Sequence, residues 1–101
     1  MRFDRPVTFQ RMADDETWAD AFTAHAWVNK TQGSQDVDAG AMRSRQTLTF
    51  RIRWQAACRD IPAETQRWRV VFEGRAYAVV DTDDYLQRHR TFEVEAQSYG
   101  E

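Results

Sequence analysis

Residues 46–54, Gln-Thr-Leu-Thr-Phe-Arg-Ile-Arg-Trp, carry the clearest pattern in the chain. Leu48, Phe50, Ile52 and Trp54 alternate with Thr47, Thr49, Arg51 and Arg53. A period of two is what a half-buried strand requires, because successive side chains leave a pleated backbone on opposite faces. One face of this strand therefore belongs to a core, and Thr47, Thr49, Arg51 and Arg53 belong to the outside.

The same period recurs on both sides of it. Val7, Phe9 and Arg11 alternate with Thr8, Gln10 and Met12, with Pro6 placed where a strand begins. The polar run from Ala13 to Thr17 turns the chain, and Trp18 opens a segment in which Phe22, Ala24, Ala26 and Val28 share one parity. His25, Trp27 and Asn29 take the other, which predicts a second strand over Ala21 to Lys30. Further on, Trp68, Val70 and Phe72 form one alternating set, and Tyr77 and Val79 oppose Ala76, Ala78 and Val80 in another. Glu73 and Gly74 stand between these two runs, where glycine supplies the positive φ of a tight hairpin. Phe92, Val94 and Ala96 make the last strand. Gln55 to Arg67, with Pro62, is a connection in which Ala56 to Asp60 fits one helical turn, and Asp81 to Arg88 is a turn-rich link.

About six short strands with at most one short helix predict an all-β domain, an antiparallel β-barrel or sandwich. Closure is favoured because an open sheet of this size leaves long exposed edges. The 101 residues suit one domain, spanning 1–101, with one core. Such a domain buries only around 60 to 65% of its unfolded surface, so contacts with partners would add to its stability.

Between the second and third strands lies a different kind of segment. Thr31 to Ser44 holds Gly33 and Gly40 with small and acidic residues between them, which predicts a long mobile loop. Ser34 is placed to cap a short helix over Gln35 to Met42, with Asp36 near its positive end and Gly40 limiting it.

Composition narrows the function classes. Apolar residues make up 42% and charged residues 30%, a globular balance with no apolar run of membrane-spanning length. Residues 1–10 carry Arg2, Asp4 and Arg5 and no apolar stretch, unlike a signal peptide, so a cytoplasmic site of synthesis is expected. Net charge is −2, which argues against tight duplex binding, since phosphate neutralisation supplies most of that affinity. Lys30 is the single lysine among 14 basic residues; the arginines suit bidentate pairing with carboxylates, although GC-rich codons account for them equally simply. Cys58 alone allows no internal disulfide and no multi-cysteine zinc site.

No constellation for catalysis appears. Asp81, Asp83 and Asp84 crowd together, but no glycine sits at the bend and no glutamate closes the spacing of a calcium loop, so they read as a solvated turn rather than a metal site. His25 and His89 have no cysteine, serine or second histidine at a useful spacing, and His25 beside Trp27 fits a surface or interface position. No cofactor motif is present. The residues that invite a contact role are Arg43, Arg45, Arg51 and Arg53, on or just before the outward face of the strongest strand, together with Trp27. Against that stands a solvated face balanced by Glu93 and Glu95; for it stands a surface for a neighbouring subunit or for DNA passing by.

Taken in order, Arg5, Val7, Phe9, Gln10, Arg11, then Glu16, Thr17, Trp18, then the alanine-rich strand to Trp27, then Gly33 and Ser34 form the first half of a recognisable pattern. Thr49, Arg51, Ile52, Arg53, the run Arg69 to Tyr77 and the last strand within Arg88 to Gln97 form the second half. The whole resembles the head-tail joining proteins of long-tailed bacteriophages, also called head-closure or stopper proteins. The chain departs from that pattern in a short turn before Trp18 and a longer Gln55 to Arg67 segment carrying Cys58. The resemblance implies a structural virion protein without enzymatic activity, made in the host cytoplasm and resident in the virion neck. It implies a homo-oligomeric ring between the portal or adaptor above and the tail below, around packaged double-stranded DNA and away from any membrane. It also implies a loop in the central channel, here Gly33, Ser34, Gln35, Asp36, Val37, Asp38, Ala39, Gly40, Ala41 and Met42. The neutral-to-acidic character of that loop suits a channel that must release DNA. The competing expectations are a tail-terminator or other tail connector, and a small nucleic-acid-binding barrel using Arg51, Arg53 and Trp27.

Overall fold

A computed structural model describes residues 3–30, 46–83 and 90–98. Six strands carry the fold: β1 (Arg5–Met12), β2 (Trp18–Lys30), β3 (Thr47–Arg53), β4 (Trp68–Phe72), β5 (Arg75–Asp83) and β6 (Thr91–Ser98). They pair antiparallel throughout, in the cyclic order β1-β2-β3-β6-β5-β4, and β4 returns to β1, so the sheet closes into a barrel. Closure leaves no edge strand to pair with a stranger.

The alternating apolar residues all turn inward. Phe9, Phe50 and Phe92 are fully buried with Ile52, Val70 and Val94, and each such side chain contributes roughly 1.5–3 kcal/mol over its exposed state. Phe50 is the hub, meeting Phe72 and Tyr77 edge-on at centroid separations of 5.5 and 5.8 Å, the arrangement that ring quadrupoles favour. Phe9 stacks on Phe22 at 4.6 Å. Trp68 is buried as its parity predicts, and Trp54 packs half-buried against the same core.

Turns follow local chemistry. Glu73 and Gly74 have φ of 52° and 78°, so the two-residue β4–β5 hairpin has positive φ at both central positions, the twist-matched form. Ala13 to Thr17 is closed by Ala13 N–H donating to the Thr17 carbonyl at 2.8 Å, and the Thr17 hydroxyl donates to Asp15 at 2.7 Å. That side-chain bond, followed by the Thr17 backbone N–H, holds the Asp15 carboxyl below its ordinary range. The expected helical turn Ala56–Asp60 is a 3-10 turn, followed by a second, Pro62–Arg67. Cys58, within the first of these turns, is fully buried.

Three expectations change. The second strand begins at Trp18 rather than Ala21, because a register shift opposite Phe9/Gln10 absorbs one extra residue and lets Trp18 pair with Met12. Asp81 and Asp83 belong to strand β5 rather than to a link, because a bulge between Val79 and Asp81 resets the alternation and carries the ladder on to Glu93. Thr47, on the outward parity, is only 4% exposed rather than solvated; beside it the Ser98 N–H donates to the Gln46 carbonyl and the Gln46 N–H to the Ser98 hydroxyl, which fastens the end of β6 across the start of β3.

Candidate functional site

With the interior filled by side chains, the surface is what remains for function, and strand register decides what meets there. On the outer face Trp27 pairs with Arg51, and Arg51 with Glu93, in one row across β2, β3 and β6. The Arg51 guanidinium lies 5.4 Å from the Trp27 ring and bonds Glu93 through two nitrogens, at 2.6 and 3.1 Å. The balancing role expected of Glu93 is therefore present for Arg51. Trp27 is half-buried beneath this pair and presents a rigid aromatic edge rather than a bare face.

Arg53, one outward step further along β3, is exposed and stacked 4.9 Å from the ring of Phe3. Phe3, Ala24, His25, Arg53 and Gln55 line a half-open cavity of about 350 Å³. His25, expected at a surface or interface position, thus joins a cationic, partly aromatic pocket. Phe3 was missed in the sequence because it lies ahead of the first alternating run; its aromatic identity two residues before an arginine was the available signal.

A second surface of opposite sign lies on β5 and β6. Asp81 faces Glu95 and Asp83 faces Glu93 in direct cross-strand register, four carboxylates in two rows. Among the described residues, Val80 at the bulge beside them is the large apolar side chain left exposed, at 46%. No group of three or more His, Cys, Asp or Glu among the described residues is arranged to hold a metal ion.

Elsewhere several arginines are tied to neighbouring elements. Arg5 pairs with Glu73, Arg11 with Glu64 at 2.7 Å, and Arg69 donates to Gln10 at 2.7 Å while covering Trp18 at 4.4 Å. Arg43, Arg45, His89, Asp84 and the whole of Gly33 to Met42 lie outside the described residues. What the structure does fix is where that last segment is rooted: Lys30 pairs with Leu48, so the chain from 31 to 45 departs from and returns to one rim of the barrel.

The described residues form a small closed barrel with an apolar interior and a charged, partly aromatic exterior. A family model, phage head completion protein, matches residues 2–98, and the chain belongs to that family. Its role is that of a structural component of a phage-type virion. Among solved structures, a chain in the virion of a native gene transfer agent (GTA) particle superposes with a TM-score of 0.71 at 17% identity, covering 97% of this chain and 96% of that one. That likeness supports the fold. No curated protein matches the sequence.

Proposed function

We propose that this chain is a head-closure protein: copies of it form a ring in the neck of a long-tailed phage or prophage particle, join the portal or adaptor to the tail, and close the DNA channel after packaging. The observation that carries the reading is the family match over nearly the whole chain, joined to the rooting of residues 31–45 at a single rim. A segment held at both ends by neighbouring antiparallel strands can reach into a channel without disturbing the barrel. Gly33, Ser34, Gln35, Asp36, Val37, Asp38, Ala39, Gly40, Ala41 and Met42 are the channel segment in this reading, and Arg43 and Arg45 stand at its return to β3.

A heterologous contact repeated with a closing rotation generates a ring, and each contact adds burial that so small a core lacks. The negative overall charge keeps such a ring from gripping the DNA that must pass it.

The test is deletion of residues 33–41 in particles. The barrel should stay folded, heads should still receive the protein, and packaged DNA should leak before tails attach. Loss of folding, or full retention of DNA, contradicts the reading.

A further inference from the structure

The geometry points to a specific partner for the Phe3, His25, Arg53, Gln55 pocket: we propose that it receives the carboxylates of the β5–β6 ladder of a second copy of this chain. The inference rests on the ring reading above and names the contact that would build the ring.

The pocket offers a carboxylate what it needs. Stacking on Phe3 covers one face of the Arg53 guanidinium and leaves its N–H edges, which match the two oxygens of a carboxylate. Among the described residues no carboxylate pairs with Arg53, unlike Arg51 two residues earlier on the same face of β3, which is bound to Glu93. Gln55 adds an amide donor, His25 a ring nitrogen, and Phe3 with Ala24 an apolar wall against which an acidic side chain's methylenes can rest. A cavity of about 350 Å³, half-open to solvent, accommodates side chains at the tip of a docking surface rather than a duplex groove.

The ladder supplies the complement. Like charges placed directly opposite on adjacent strands are destabilising, and this barrel carries two such pairs, Asp81 with Glu95 and Asp83 with Glu93. Arg51 on Glu93 offsets one carboxylate. A neighbour's Arg53 arriving on the ladder would relieve the remainder, and exposed Val80 beside it would be covered in the same contact. The pocket takes Ala24 and His25 from β2 and Arg53 from the end of β3, beside β6, whereas Asp81 and Asp83 lie one strand further on, on β5, so one copy presents the two as distinct patches. That is the placement a heterologous, ring-closing contact requires.

The experiment is sedimentation of the full chain over a wide concentration range, at low and physiological salt, for the native sequence, Arg53→Glu, the pair Asp81→Arg with Asp83→Arg, and all three changes together. Thermal unfolding checks each fold; if Arg53→Glu does not fold, Arg53→Gln takes its place. The native chain should self-associate, more weakly at high salt. Each charge reversal should weaken association about tenfold or more, and the combination should regain most of it. Native association that neither reversal changes overturns the pocket contact while leaving a ring built through other surfaces. A native chain that stays monomeric at every concentration also overturns it, whereas the leakage test above decides the head-closure reading separately. Binding of a short duplex DNA that is lost in Arg53→Glu while self-association is untouched would assign the pocket to nucleic acid, and overturns the proposal as well.

Discussion

Strands β3 and β6 show two kinds of surface on one pair of backbones. Inward, Leu48, Phe50 and Ile52 face Ala96, Val94 and Phe92, apolar against apolar without exception. Outward, Thr49 faces Glu95, Arg51 faces Glu93 and Arg53 faces Thr91, so among the described residues one ion pair stands between a cation and an anion that have no opposite charge across the ladder. The inner side is satisfied within the chain. The outer side is satisfied only in part, and the unmatched charges are where a partner adds most. Burial is non-directional and needs only the right parity, whereas charge matching depends on which strand lies alongside.

The largest expected effect breaks the inner side. Phe50→Ala should remove about 3–5 kcal/mol, because the fully buried ring meets both Phe72 and Tyr77 and its removal leaves a cavity between them. For so small a domain that is most of its stability, and chemical denaturation should show it as a large fall in midpoint without a change of slope.

Next comes the hairpin that sets the register of β4 on β5. A Cβ at Gly74 would touch nothing within 4 Å, so Gly74→Ala carries only the backbone cost of φ near +78°, about 1 kcal/mol, read in the same unfolding experiment. A loss several times larger would mean that the site is crowded by something beyond the hairpin.

On the outer side the effects shrink. Arg51→Ala removes a pair whose members are each about a third exposed, and should cost no more than about 1 kcal/mol in the isolated chain. A thermal shift that vanishes at high salt checks that the effect is electrostatic. Smallest of all is Asp15→Ala in the exposed β1–β2 turn. The Asp15 carboxyl is held below its ordinary range, so its contribution is present above that range and fades as pH falls through the lowered value. The variant and the native chain should therefore converge in stability under acid.

These differences also explain what could be read from sequence. Alternation placed Leu48, Phe50, Ile52, Val70, Phe72, Phe92 and Val94 in the core because a period of two survives any choice of neighbour. Gly74 gave the hairpin because few residues tolerate its φ. The Asp81–Asp83 extension of β5 was hidden by the bulge at Val80: one inserted residue exchanges the two faces, and the acidic run then looks like a turn. The balance of Arg51 by Glu93 was anticipated as one of two options, but only the β3–β6 register decides it. The pocket needed Phe3, Ala24, His25, Arg53 and Gln55 brought from three separate stretches, and no local signal joins them.

In the proposed head-closure role this barrel is a unit of a neck ring with residues 31–45 turned toward the channel. Electron microscopy of the neck in DNA-filled particles tests it most directly. It should show copies of the barrel arranged in a closed ring, with the β2–β3 rim facing the axis. Particles whose neck lacks this chain, or a ring in which that rim faces outward, would contradict it.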